Sequence, residues 1–432
     1  MFIRSNFIRK MIVCHIGLLL VFLFLWSVLG LPWSAIYIFD LLVCVEFAWI
    51  FRDVQTVMKR IGFWHVIPYL LAFALYLLLT QIANVVSLPL MALAYRRVFR
   101  FYLFYFACAV LLNVDTVEKL LDFLVKLQPV NLLLTLFQYF VQRLGQDNLG
   151  GLFGVENGAN AYSNIFLCIV CTHMVIRYLA KKEKLMPMLL TLGSSLIIAA
   201  LAELKIFFVE IIIIILLAVL LSNPSARTVK IIAFGACGFV GALMLLGQLF
   251  PEHMAILLSL ARLAEYTSEA IYGYRISRLG AFSDINQIFF KGDIARNLFG
   301  YGFGNCETGS AFYEKYEKYS YTWFTHQVTF LETGYIGVLL YLLFFVMVYI
   351  HATISKKANP ENAHYYSFTQ IICVLCAVWF VYNQALRMEL GYLIFFALAI
   401  PAVVRNNWLK SGGLGAQEKE DGALWRRELQ CR

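Results

Sequence analysis

Long apolar runs, each closed by a short cluster of charge, recur from one end of the chain to the other. Each run holds about 20 residues, enough for a helix to cross a hydrocarbon core of roughly 30 Å. Reading these runs against the charges places spans near 11–30, 33–51, 63–82, 98–113, 128–143, 160–180, 185–202, 206–222, 230–250, 327–350, 367–385 and 388–404. The expectation is an all-α polytopic membrane protein of about twelve transmembrane helices. It forms a single membrane domain over 1–432, with one large outer loop, 251–325, inserted between spans. Within that loop Ile276, Leu279, Phe282, Ile285 and Phe289 recur at helical spacing. That pattern predicts an amphipathic helix over 273–290, with Arg275 and Arg278 as i,i+3 neighbours on its polar side. Asp293 is placed to cap a short helix ending at Gly300.

Composition agrees with the pattern. The chain is 61% hydrophobic and 14% charged, against about 25% charged residues in a soluble domain. The first run follows Arg4, Arg9 and Lys10 as a signal peptide would, but it lacks a small-x-small exit and leads directly into another span, so it is expected to be retained. The formal charge of +9 is scattered between spans rather than gathered on one face, which argues against a nucleic-acid partner.

Charge also orients the chain. With a cytoplasmic N-terminus, Arg52, Lys59, Arg60, the basic run 181–184, Arg227, Lys230, Lys356, Lys357 and the tail 405–432 all fall on the cytoplasmic side. Both termini are then cytoplasmic, while 145–159 and 251–325 lie outside. The exceptions carry information. Arg96, Arg97 and Arg100 fall outside, just before the fourth span; Lys205 stands with Glu203 at the turn between the seventh and eighth; Arg387 caps another outer turn. An anionic ligand at the outer face accounts for them, and so does snorkelling of the three arginines to lipid headgroups.

Ten cysteines include Cys168/Cys171 and Cys373/Cys376 at CxxC spacing, but both pairs sit in apolar runs as small fillers. Only Cys306 lies in the large loop, so no disulfide framework is expected. Among seven histidines, topology leaves His253 and His326 facing outward. His326 lies where the loop re-enters the membrane and can serve as acid, base or hydrogen-bond donor; a structural role fits it as well. No second histidine or carboxylate stands at metal spacing, so neither a metal nor a cofactor is expected. Gly300, Gly302 and Gly304 shape a turn whose backbone can approach a ligand closely, and no strand precedes them as a nucleotide fingerprint requires.

Glu203, Lys205 and Glu210 interrupt the apolar stretch 185–221 and mark the outer turn of a helical hairpin. An ion pair of Glu203 or Glu210 with Lys205 and a ligand contact both fit there. Trp33, Trp64, Trp323 and Trp408 fall near span ends as interface anchors. Tyr313, Tyr316, Tyr319, Tyr321 and Trp323 also offer faces for sugar rings.

The segment LFGYGFGN, a polar insert and then THQVTFLETGYIGVLLYLL resembles the C-terminal signature of the bacterial O-antigen polymerase and O-antigen ligase superfamily. The matching positions are Gly300, Gly302, Gly304, His326, Gln327, Glu332, Gly334 and Gly337. Gln327 stands where asparagine is more usual. GLFGVENGANAYSNIF and ALAELKIFFVEI are similar to two further segments of that group.

The resemblance implies a fold like that of the C-type glycosyltransferases and a metal-independent membrane glycosyltransferase of the bacterial inner membrane. Its donor would be a glycan on undecaprenyl diphosphate. It also implies that Arg275 and Arg278 hold the donor diphosphate, helped by Arg96, Arg97, Arg100 and Lys205. His326 would orient or deprotonate the acceptor hydroxyl, with Glu332 or Glu203 supporting it. The leading expectation is a polymerase of O-antigen, capsular or exopolysaccharide repeat units, working among membrane lipids and with a chain-length regulator as a candidate partner. An O-antigen ligase transferring glycan to lipid A-core is the alternative, and a transporter or flippase of a lipid-linked glycan the third.

Overall fold

The computed structural model describes residues 2–249 and 276–412, and among them there is no strand. Nine long helices fill the first stretch: α1 (Phe2–Leu29), α2 (Tyr37–Arg60), α3 (Val66–Ala83), α4 (Leu88–Leu111), α5 (Val114–Phe140), α6 (Ala159–Leu179), α7 (Leu185–Leu201), α8 (Lys205–Leu220) and α9 (Ala226–Leu249). Three short helices follow, α10 (Ala281–Ile285), α11 (Ile294–Phe299) and α12 (Ala311–Tyr316). Then come α13 (Thr325–Ala358), α14 (Ala363–Tyr382) and α15 (Gly391–Lys410). A long helix occupies each expected apolar segment. Eight of them are long and apolar enough to cross a membrane, which makes this a polytopic, all-helical membrane protein.

Burial sorts the helices. α6 and α15 are buried on nearly every face, against α8 and α4 respectively. By contrast α3 exposes Leu71, Leu75, Leu79 and Ile82, an i, i+4, i+8, i+11 stripe suited to lipid.

Two helices start ten or more residues ahead of the hydropathy reading. α5 starts at Val114, fourteen residues before the expected 128, because the Asn113 side chain accepts a hydrogen bond from Thr116 N at 2.9 Å and caps it. α4 starts at Leu88, with Pro89 in its first turn, so Arg96, Arg97 and Arg100 lie inside the helix and not ahead of it. Hydropathy places a span after its charges; here the charges are paired within the protein, and the helix runs through them.

The amphipathic helix expected over 273–290 is shorter. Residues 276–280 are not helical, α10 begins at Ala281, and a π-helical turn, Asn286–Phe290, continues it. The Asp284 carboxylate accepts from Ser277 N at 2.9 Å and Ser277 Oγ at 2.5 Å, tying the preceding segment into a turn. Ile276 and Ile285 are buried as the spacing demands, whereas Leu279 is exposed. Farther on, Asp293 accepts from Ala295 N and Arg296 N, and α11 ends at Gly300 with φ 70°.

α13 is two helices joined at a break. Gly334 takes φ 61° and ψ −167°, which releases the carbonyls of the preceding turn. Each finds a donor: Tyr301 N reaches Leu331 O at 2.8 Å, Gly302 N reaches Glu332 O at 2.9 Å, and Tyr76 Oη reaches Thr333 O at 2.6 Å. The glycine-rich turn is therefore bonded into a membrane helix.

Candidate functional site

Two joined cavities, of about 460 Å³ and about 560 Å³, open where the α5–α6, α7–α8 and α14–α15 connections meet the segment 276–324. They share Asn157, Trp323, Gln384 and Met388, so they form one cleft with two lobes.

The first lobe is built on arginines that are already matched. Asp40 of α2 accepts from Arg96 Nε at 2.7 Å and from Arg100 Nη1 at 3.3 Å. Arg100 also reaches Glu389 at 3.2 Å, and Tyr162 donates to the other oxygen of that carboxylate. Glu307, 1% exposed, sits between Arg97 and Arg387 and pairs with both. Burial alone would pull the Arg387 guanidinium below its ordinary value, but the Glu307 and Glu332 carboxylates more than reverse that and hold it charged. Arg96, Arg97 and Arg100 are thus brought together in this lobe. Asp40, Glu307 and Glu389 neutralise them within the protein.

The second lobe carries Arg278, Lys205 and Glu203. Glu203 occupies the α7–α8 turn at φ 50°, with Lys205 Nζ 4.0 Å from its carboxylate. The Arg278 guanidinium lies over the rings of Tyr382 at 4.7 Å and Phe324 at 5.1 Å, an arrangement that fixes a planar cation. Arg275 and His253, both singled out from the sequence, lie outside the described residues.

His326 does not line this cleft. It is 2% exposed, boxed in by the rings of Phe282, Phe324 and Phe380. Its Nε2 lies 2.9 Å from the Arg278 carbonyl oxygen, which can only accept, so Nε2 carries the proton. Gln327 donates to the Ser277 carbonyl at 3.2 Å. The adjacent His and Gln thus hold the carbonyls of Arg278 and Ser277, on either side of the Arg278 backbone, behind the cleft. No carboxylate bonds either ring nitrogen. The expected support from Glu332 or Glu203 is absent for a geometric reason: Glu332, 1% exposed, accepts from Cys306 N at 3.2 Å, and Glu203 faces Lys205.

Gly300, Gly302 and Gly304 all take positive φ, at 70°, 97° and 88°. Close backbone approach is what they provide, but to protein. A Cβ on Gly302 would fall 2.9 Å from the Thr80 carbonyl oxygen, and one on Gly304 2.9 Å from that of Leu90. Tyr313, Tyr316 and Tyr319 are half-buried, and none of them lines the cleft. Tyr321 is buried and donates to Cys306 O at 2.8 Å, packing with Phe289 and Phe312, whereas Trp323 stands exposed in the cleft. Burial first, and then the nearby Glu332 and Glu307, push the Cys306 thiol well above its ordinary value, so it stays neutral.

Glu210 does not line the cleft. It is buried against α6, accepting from Asn164 Nδ2 at 2.8 Å and Cys168 Sγ at 3.1 Å. Sequence reasoning passed over Asp40, Glu156, Glu307 and Glu389, four carboxylates in or beside the cleft. Asp40 and Glu389 had a usable signal, since each is an isolated acid within or beside an apolar run. No family model matches this chain, and no curated protein matches it.

Proposed function

We propose that the chain is a polysaccharide repeat-unit polymerase of the bacterial inner membrane, with all twelve long helices crossing and the cleft on the outer face. It transfers a growing glycan from undecaprenyl diphosphate to a lipid-linked repeat unit. One observation carries this reading: a two-lobed cleft at one end of an apolar helix bundle, with Arg278 and Lys205 in one lobe and Trp323 at the junction. The donor diphosphate lies in the Arg278–Lys205 lobe, where a guanidinium stacked on Tyr382 and Phe324 and an ammonium line the same cavity. The acceptor glycan enters that other lobe beside Trp26, Trp323, Glu156 and Glu389.

The chemistry follows from this placement. The acceptor hydroxyl attacks the anomeric carbon, the bond from that carbon to the diphosphate oxygen breaks, and the hydroxyl proton passes to a cleft carboxylate. Undecaprenyl diphosphate departs as an anion, and cationic side chains stabilise the charge that develops on it. His326 acts through Arg278 by fixing its backbone.

Complementation of a deletion strain tests the assignment. Arg278→Ala is expected to leave single repeat units, and Arg278→Lys to restore short chains only, because lysine keeps the charge and loses the planar fork. Wild-type chain lengths from Arg278→Ala would contradict it.

A further inference from the structure

α8 joins two features that point to one ligand. Its first residue is Lys205, in the cationic lobe of the cleft. Counting onward, Ile212, Leu216 and Val219 stand seven, eleven and fourteen residues later, on the same helical stripe as Lys205. These three line an apolar groove of about 430 Å³ between α7, α8 and α9. Its size falls within the roughly 300–1,000 Å³ usual for ligand sites.

Missing side chains keep the groove open. Gly193 of α7 has no atom within 4 Å of where its Cβ would be, Gly238 of α9 faces only Leu196 Cδ1 at 3.7 Å, and Gly235 faces the Ile215 side chain at 3.0 Å. At a rise of about 1.5 Å per residue, the stripe from Lys205 to Val219 runs about 21 Å, most of one hydrocarbon core.

We infer that this groove seats the polyprenyl chain of the lipid-linked donor. The inference rests on the function proposed above and locates the tail of the same substrate. The alignment of Lys205 with Ile212, Leu216 and Val219 on one stripe of α8, the cation toward the cleft and the apolar side chains in the groove, selects the occupant. A lipid whose head is drawn into the Lys205–Arg278 lobe must run its chain down the α8 stripe, directly beneath that lobe. A phospholipid headgroup stays at the bilayer surface and has no reason to align there. The groove is apolar throughout its lining, and burying a hydrocarbon chain against Ile211, Ile215 and Leu216 gains van der Waals contact with ordered side chains.

Photolabelling tests this without requiring turnover. The purified full-length chain in detergent is irradiated with a diazirine-bearing analogue of undecaprenyl diphosphate, and the labelled peptides are mapped. Label is expected on 185–249, displaced by undecaprenyl phosphate and not by phosphatidylglycerol. Gly193→Leu places a side chain in open space and Gly238→Leu one in ordinary van der Waals contact with Leu196, and leucine suits a helix, so both variants should fold. Each is expected to cut that label about tenfold, the equivalent of about two buried methylenes.

Equal displacement by phosphatidylglycerol would overturn the inference by making the groove an ordinary lipid contact. So would full labelling of both variants. Displaceable label confined to another face would overturn the groove alone and leave the function standing, whereas absence of displaceable label anywhere would overturn both.

Discussion

Glu307 shows how single residues set the cleft. It is one carboxylate held by two guanidinium groups, Arg97 from α4 and Arg387 from the α14–α15 connection, and it sits in the segment that follows the glycine turn. Removing its charge leaves the buried Arg387 guanidinium without its closest counter-ion and facing the part-exposed Arg97, and breaking a buried pair in this way costs about 3–5 kcal/mol. Glu307→Gln is therefore expected to lower stability by that order, read from denaturation of the detergent-solubilised protein. A change within about 0.5 kcal/mol, typical of a surface substitution, would mean that the pairs contribute nothing. At this scale the sequence was partly legible. Arg96, Arg97, Arg100 and Lys205 stood out as basic residues against the orientation rule, and Arg278 through the family resemblance, and all five line the cleft. The pairing was not legible, because Asp40, Glu307 and Glu389 come from segments up to 349 positions apart. His326 stood out too, but nothing local to it reveals that its ring turns toward the Arg278 carbonyl rather than the solvent.

At the scale of elements, the break in α13 is what joins membrane and cleft. Continuous hydropathy over 327–350 reads as one helix, and only the pair of glycines at 334 and 337 hints at an interruption. The break needs a residue that tolerates φ 61°, and it needs room, since a Cβ on Gly334 would collide with the Leu298 backbone. Gly334→Ala is expected to cost more than the 1–3 kcal/mol typical of backbone strain alone. Gly292→Ala supplies the comparison, because Gly292 has φ 80° with open space around it and pays for conformation only. Equal losses from the two variants, measured as shifts in unfolding midpoint, would show that packing against α11 contributes nothing. The short helix before Gly300 was legible from its Asp293 cap, a local rule. The truncated amphipathic helix was not, because the Asp284–Ser277 turn competes with helical continuation at equal hydrophobic spacing.

For the whole molecule, the all-helical polytopic class follows from apolar run lengths, because a helix satisfies its own backbone in lipid whatever its neighbours do. Which helices lie innermost was less legible: α6 and α15 carry no richer apolar pattern than α3, yet they are enclosed while α3 faces outward. The cleft emerges only when the connections of separate helices meet, and the same bundle shape could serve transport as readily as transfer. Purified protein in detergent, given a synthetic undecaprenyl-diphosphate oligosaccharide and no compartments to cross, separates the two. The account predicts elongated glycan with release of undecaprenyl diphosphate, without added metal, and loss of both in Arg278→Ala. Well-folded protein that binds this lipid but forms no longer product would contradict it.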